Sequence, residues 1–228
     1  MIRTSIACLI AVAGLASADT VVLNIDPAQS NIDIDATLST PVGDDTDTAF
    51  TAVGGTIEIE LDDYGAPTAI TLHDFLLVLI DDITMNFDYG FAGSATSTLH
   101  NAMAMYATPG TPTGPVPVAG ASFSFPSVPS DLAGTYTYDY SFFLIGSDSG
   151  SGDLSEFGTS NTPISGDVFS DGSMITLMGT LDINTTQTVI DGVADLTLVG
   201  TATLVATGDV PPPAGCNAAD IAEPFGVL

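Results

Sequence analysis

Apolar and polar residues alternate with a period of two along most of the chain. In segment 31–38, Ile32, Ile34, Ala36 and Leu38 share one face, and the residues between them are Asn, Asp or Thr. Such alternation is typical of an antiparallel strand that turns one face to a core and the other to water. The same pattern predicts strands in four further segments, 56–61, 83–91, 136–144 and 194–206.

Segment 70–80 (ITLHDFLLVLI) is apolar on both faces apart from His73 and Asp74, which predicts a central strand. The helical spacing of its large apolar residues leaves a helix as the alternative. Segment 107–133 is rich in Pro, Gly and Ser, and we expect a long surface loop there, with one short strand at 121–125. Turn residues separate the other segments, at 62–65, 148–153, 171–172 and 191–192.

Many strands without intervening helices predict one all-β domain over residues 19–208. The pattern fits an antiparallel β-barrel or, alternatively, a β-sandwich. An outer-membrane barrel is a third alternative. The lack of Trp and of aromatic girdles counts against it, as does the linker that follows the last strand.

Two short motifs bear on this choice. Residues 24–32 read N-I-D-P-A-Q-S-N-I, and residues 54–59 read G-G-T-I-E-I. They resemble the opening of YceI-like secreted barrels, which begin with a D-P-x-x-S strand followed by a G-x-I strand. The resemblance implies a lipocalin-like barrel, and in that family the barrel encloses an apolar small ligand, a long lipid.

The charge of the chain narrows the range of partners. The sequence has one Lys or Arg, which is Arg3, and 28 Asp or Glu, for a formal net charge of −27. Nucleic acids and anionic membrane surfaces are bound through Lys and Arg, so both are excluded as direct partners. Hydrophobic residues make up 45% of the chain, which is enough to build a sizeable core despite this charge.

Residues 1–18 have the three parts of a secretory signal peptide. Arg3 supplies a positive charge, residues 6–15 are apolar, and Ala16-Ser17-Ala18 is a small-residue cleavage site. We expect cleavage after Ala18 and a protein that is secreted, to the medium or to the cell surface. No later apolar run reaches the roughly 18 residues of a spanning helix, so no integral membrane span is predicted.

The C-terminal residues differ in composition from the β domain. Residues 209–215 (DVPPPAG) form a Pro-rich linker, and the tail 216–228 reads CNAADIAEPFGVL. This run resembles the opening of the GC-type dockerin module of secreted planctomycete proteins, in which such a linker leads to C-N-x-A-D-x-A-E-P-[FY]-G-x-L. The resemblance implies a truncated module that anchors the chain to a cohesin-like or other cell-surface partner.

Cys216 is left alone once Cys8 leaves with the signal peptide. Exported thiols tend to pair, so its disulfide partner lies in another chain or in a missing part of the module, or the thiol is free. The alternative to a dockerin-like tail is a short tail with a stray thiol.

Candidate catalytic groups are few. His73 and His100 are the only histidines, and no nucleophile motif surrounds any Ser. Paired acids are expected in a chain with this many carboxylates, and no Trp offers a platform for sugars. We therefore expect no catalytic activity, with an enzyme of unknown type as an alternative.

Calcium is the one cofactor for which the sequence offers candidate ligands. Ca²⁺ is bound by several oxygen atoms from flexible loops. Neither acidic cluster of this chain fits D-x-[DN]-x-[DN]-G, so a solvated acidic surface is the alternative. The candidate ligands fall in two predicted loops: Asp44, Asp45 and Asp47 in the first, and Asp148, Asp153 and Glu156 in the second.

These features predict a secreted, non-catalytic β-domain protein with a structural or binding role, anchored through its tail. The first alternative is a carrier whose barrel encloses an apolar small ligand. A dry interior channel of several hundred cubic ångströms would favour the carrier. A filled core would favour the structural or binding role.

Overall fold

The computed structural model describes residues 19–190 and 193–211, and the structural statements below refer to this part of the chain. It contains twelve β-strands and two short 3-10 helices, at Gly90–Ala92 and Leu154–Phe157. The strands are β1 (Val21–Ile25), β2 (Asn31–Thr40), β3 (Gly43–Leu61), β4 (Ala69–Leu79), β5 (Ile83–Asp88), β6 (Gly93–Tyr106), β7 (Thr113–Pro117), β8 (Ser122–Phe142), β9 (Gly146–Asp153), β10 (Ser160–Ser170), β11 (Met174–Ile190) and β12 (Ala194–Asp209).

Eight of these strands pair in chain order and close a ring: β2, β3, β4, β6, β8, β10, β11 and β12. All of the pairings are antiparallel, and β12 returns to pair with β2. A sheet whose last strand pairs with its first is an up-and-down barrel. The predicted all-β antiparallel barrel is therefore confirmed, and the sandwich alternative is excluded.

The four short strands extend the wall of this ring. Strands β1 and β2 pair with successive parts of β3, and β9 and β10 pair with successive parts of β8. In the same way β5 pairs with β6, and β7 pairs with β4. We call the end that carries turns 62–68, 118–121 and 171–173 the lower end. Turns 41–42, 89–92 and 143–145 lie at the upper end.

Apolar side chains fill the interior in two clusters. The lower cluster is built around Leu23, Ile59, Ile70 and Phe125, each no more than 2% exposed. The upper cluster includes Met85 from β5 and Phe142 from β8. Fully burying one such side chain contributes about 1.5–3 kcal/mol, so the interior supplies the main stabilising term of the fold.

Polar side chains cover much of the outer wall. The outward positions of β2 include Asp33, Asp35 and Thr37, and those of β11 and β12 are mostly Asp, Asn and Thr. Thr186 and Thr197 face each other there, with their hydroxyl oxygens 3.0 Å apart. An outer-membrane barrel has the opposite arrangement, with an apolar band around its outside. Among the described residues no helix has the length and apolarity to cross a membrane.

Strands β1 and β2 lie end to end beside β3, and Gly55 of β3 lies next to the break between them. It pairs with Ile25, the last residue of β1, and its φ is +124°. A Cβ atom at this position would lie 1.9 Å from the carbonyl oxygen of Leu76 on β4. Only glycine allows this close approach, which explains one residue of the G-G-T-I-E-I motif.

The prediction of a long loop over 107–133 is wrong. Strand β7 and the first half of β8 occupy most of this segment. Pro126 is tolerated because the pairing of β8 with β10 shifts between Phe125 and Val128, so the proline lies in an irregularity of the ladder. The predicted turn at 148–153 is also wrong, since these residues form most of β9.

The prediction of a central strand over 70–80 is confirmed by β4, and the helix alternative is excluded. The other predicted strands lie in β2, β3, β5, β8 and β12. Two of them end early: β5 stops at Asp88 and β8 at Phe142. As a result Phe91 and Leu144, which the alternation places on the inner face, lie instead in the upper turns.

At two places in the upper half of the wall, no ladder joins the neighbouring strands, and we call these places seams. At the β3–β5 seam, carboxylates take the place of a strand ladder. Asp47 accepts a hydrogen bond from the backbone N–H of Asn86 at 2.6 Å, and Asp45 accepts one from Asp88 at 2.7 Å. At the second, the β9–β11 seam, β9 pairs only with β8, and the part of β11 beyond Leu181 pairs only with β12.

Candidate binding surface

The first group of candidate calcium ligands lies in a strand and not in a loop. Asp44, Asp45 and Asp47 belong to β3 and pair with residues of β2. Two of the three carboxylates already accept hydrogen bonds from β5 at the β3–β5 seam. Their role in the described structure is to join two strands, which the sequence did not predict.

The second group lies near the end of β9. Asp148 and Asp153 belong to this strand, and Glu156 lies in the 3-10 helix that follows. The Asp153 carboxylate accepts a hydrogen bond from the Ser155 N–H at 2.8 Å and caps that helix. Hydrogen bonds from Ser155 lower the pKa of Asp153.

The two acidic groups do not come together, because β3 and β9 are not neighbours in the barrel. Among the described residues no three His, Cys, Asp or Glu side chains are placed to hold a metal ion. Calcium binding therefore stays a prediction. Ala18, the predicted cleavage site, and Cys216, whose disulfide partner is predicted to lie elsewhere, fall outside the described residues, as do the predicted signal peptide and tail.

Each histidine pairs with one carboxylate, which belongs to β3 for His73 and to the turn between β4 and β5 for His100. The Nε2 atom of His73 lies 2.9 Å from Glu60, and the Nδ1 atom of His100 lies 2.7 Å from Asp82. The hydrogen bond from His100 is the largest cause that lowers the pKa of Asp82. Both pairs lie on the outer wall, away from the interior cavity.

A small cavity of about 30 Å³ lies in the lower half of the interior. Its walls are apolar and include Phe75, Phe123 and Leu177. A site for a small apolar ligand occupies about 300–1,000 Å³, so this cavity is an order of magnitude too small. A ligand of that size does not fit in the lower core, which favours a structural or binding role over the carrier alternative.

The upper end carries an exposed apolar surface. Phe91 is fully exposed, and Phe143 and Leu144 are 87% and 76% exposed. Turn residues are usually Gly, Pro, Asn, Asp or Ser, so large apolar side chains at three neighbouring turns are unusual. These turns enclose a shallow depression of about 290 Å³. We call the residues that line it the tip surface: Pro41, Val42, Phe91, Ala92, Phe143 and Leu144.

Hydrogen bonds hold the three turns of the tip surface together. The Phe143 N–H donates to the carbonyl oxygen of Ala92 at 3.0 Å, which joins two of the turns. The Tyr89 hydroxyl donates to the carbonyl oxygen of Leu38, next to the third. Burial is the largest cause that raises the pKa of Tyr89, so this donor keeps its proton at neutral pH. The tip surface is thus a preformed platform.

Sequence reasoning missed the tip surface. It placed Phe91 and Leu144 on the inner face of strands, because both continue a period-two pattern. The sequence signal that could have located them is the small number of residues between consecutive strands. Only a few residues separate β5 from β6 and β8 from β9, and in both connections an aromatic residue occupies the turn.

Comparisons with known proteins add little to this description. No protein-family model matches the chain, and no curated protein matches it. The solved structures that match the chain include two of one protein. The first is Ail, the attachment invasion locus protein of Yersinia pestis, at 12% identity and a TM-score of 0.36, covering 84% of this chain and 97% of that one. The second is Ail in complex with the heparin analogue sucrose octasulfate, at 11% identity and a TM-score of 0.34, with 83% and 97% covered.

Proposed function

We propose that this protein is an exported, non-catalytic binding module that is anchored at its lower end and contacts its partner through the tip surface. The observation that carries the proposal is the tip surface itself. Three apolar turns project from a barrel whose wall is polar over much of its outside and whose lower interior is filled. Isolated exposed apolar residues are common, whereas a contiguous set marks an interaction surface.

The position of the chain ends supports this orientation. The Tyr64 hydroxyl donates to the carbonyl oxygen of Asp19, and the Val210 N–H donates to the carbonyl oxygen of Ser173 at 2.8 Å. Both described ends therefore lie at lower turns. A tether that begins after residue 211, such as the dockerin-like tail, leaves the barrel at the end opposite to the tip surface.

Charge indicates the chemistry of the partner. After residue 18 the chain has no Lys and no Arg, so it offers no cationic side chain except histidine. Sulfated glycans and anionic lipids need such cations, so we propose a protein partner at the cell surface. Its matching surface is an apolar patch with neutral or basic residues at its rim.

The test uses fluorescent mature protein added to producing cells that lack the gene. We expect saturable binding by the wild type and a loss of affinity of about tenfold or more when Phe91, Phe143 and Leu144 are all replaced by Ser. The matched control replaces exposed aromatic residues away from the tip surface, Phe50→Ser with Phe169→Ser, and retains binding. Equal losses in the two variants contradict the role of the tip surface.

Anchoring is tested separately. Deletion of residues 212–228 releases the expressed protein from the cell surface into the medium, while added protein without these residues still binds through the tip surface. Retention of the deleted form at the surface contradicts anchoring by the tail.

A further inference from the structure

The β9–β11 seam exposes an unpaired strand edge in the upper half of the barrel. In the lower half of the wall, β10 pairs with β11. The paired residues run from Ile164 with Leu181 down to Ser170 with Ile175. Above this point the described structure has no ladder between β9 and β11. Each strand has backbone N–H and C=O groups on that side, and such an edge is a template for another strand.

The inner face beside β9 is aromatic. Tyr136, Tyr138 and Tyr140 of β8 stack with ring centroids 6.5 and 6.3 Å apart. The rings lean over β9, because a Cβ atom at Gly150 or Gly152 would lie within 3.0 Å of the Tyr138 or Tyr136 ring. The three tyrosines are only partly buried, so part of each side chain is accessible to solvent.

The charge along this edge is negative. Asp148 and Asp153 lie on β9, and Asp182 lies exposed on β11. The carboxylate of Asp148 is the largest cause that raises the pKa of Tyr138. Since no Lys or Arg follows residue 18, nothing in the described chain except the two histidines balances these charges. Cationic side chains bind both carboxylates and the faces of aromatic rings.

We propose that the edge of β9 binds an extended, Lys- or Arg-containing segment of a partner protein, which adds to the sheet as an antiparallel strand. Backbone hydrogen bonds to β9 provide the affinity. On the inner face, alternate side chains of the added strand reach the tyrosine rings and a basic residue pairs with Asp148. On the outer face, a second basic residue pairs with Asp153. A second copy of this chain is disfavoured, because it carries the same excess of negative charge.

The probe is the synthetic peptide TKVTKVTK, which has the eight residues of β9 and carries Lys on both faces of a strand. Two further peptides carry N-methyl groups, one on the odd and one on the even backbone nitrogens. All three have the same charge, but methylation removes the donors on one side of the strand. Only one of these two sides faces β9 in an added strand.

We expect calorimetry on the mature full-length protein to show binding of the unmethylated peptide. One methylated peptide should bind at least about tenfold more weakly than the unmethylated peptide. The other should lose much less affinity. Equal binding of all three peptides would overturn the proposal, since it would show charge attraction alone. Absence of binding by the unmethylated peptide would overturn it as well.

Protein variants locate the site. Asp148→Asn with Asp153→Asn should weaken binding several-fold more than Asp33→Asn with Asp35→Asn, which removes the same charge from β2. Amide shifts on peptide addition should be largest in β9. Shifts centred on the tip surface, or equal effects of the two double variants, contradict the assignment. Because the tip surface is separate, loss of its binding does not affect this outcome.

Discussion

The lower and upper halves of the barrel differ in how neighbouring strands of the wall are joined. In the lower half the strand ladders run on around the wall, and buried side chains such as Leu23 and Phe125 fill the interior. In the upper half the wall has two seams. One is joined by Asp45 and Asp47, and the other is open beside partly exposed tyrosines.

This difference separates stability from recognition. The lower half buries apolar surface, and both described chain ends lie at its turns. The upper half leaves backbone edges and apolar turns accessible, at a cost in stability that the lower half can offset. Binding surfaces are commonly found on the less stable parts of a protein that a rigid scaffold positions.

The largest expected effect is the loss of a buried ring from the lower half. Phe125→Ala should lower the free energy of unfolding by about 3–5 kcal/mol, because the ring is 2% exposed and leaves a cavity. Tyr138→Ala, in the partly exposed ladder, should cost about 1 kcal/mol. Urea denaturation of both variants measures the two values, and similar losses would show that the halves do not differ.

The β3–β5 seam can be opened by mutation. Asp45→Ala with Asp47→Ala removes two acceptors for β5 and should cost about 1 kcal/mol for each hydrogen bond. The control, Asp45→Asn with Asp47→Asn, keeps a carbonyl oxygen at each position and should lose less. The measurement is thermal unfolding of both double variants. If the Asn variant is as unstable as the Ala variant, the carboxylates act through charge and not as replacements for the ladder.

Salt should stabilise the whole barrel. The carboxylates repel one another in the compact state, and screening becomes effective beyond about 10 Å at 0.1 M salt. We expect the unfolding midpoint to rise with NaCl. Calcium chloride at matched ionic strength raises it further if Asp44–Asp47 or Asp148–Glu156 binds the ion. Equal midpoints in the two salts would contradict specific calcium binding. A midpoint that does not change with salt concentration would contradict destabilisation by carboxylate repulsion.

A smaller effect is expected at the lower turn 171–173. Asp171 accepts hydrogen bonds from the N–H groups of Met174 and Ser173, and these lower its pKa. Since the folded pKa lies below the unfolded value of about 3.9, this stabilisation is present at pH 7 and is lost as the pH falls through the folded pKa. Asp171→Ala should therefore be less stable than the wild type at pH 7, and the difference should vanish in stronger acid.

The control for this prediction is Asp182→Ala, an exposed acid in the middle of β11. Its effect should be small at every pH. A difference between wild type and Asp171→Ala that stays constant down to pH 2 would contradict the assigned cause.

Period-two alternation predicted the barrel strands because half-buried strands obey it residue by residue. It failed in two physical situations. Segment 107–133 contains prolines and glycines that usually mark loops, but a shift in the ladder at Pro126 and a close approach at Gly114 accommodate them. Phe91 and Leu144 continue the alternation past the end of a strand, and sequence alone does not locate that end. The β9–β11 seam depends on pairing between distant strands, which no local pattern reports.

Hydrogen exchange of backbone amides tests the difference between the two halves most directly. The full-length mature protein, followed residue by residue by NMR, should show slow exchange where lower strands are paired on both sides, in β3 at 55–59, β10 at 164–167 and β11 at 175–181. Alternate amides of β9, and of β11 at 182–189, should exchange quickly, because they face the open seam. Uniform slow exchange in β9 and upper β11 would show that the wall is closed there and would contradict the account.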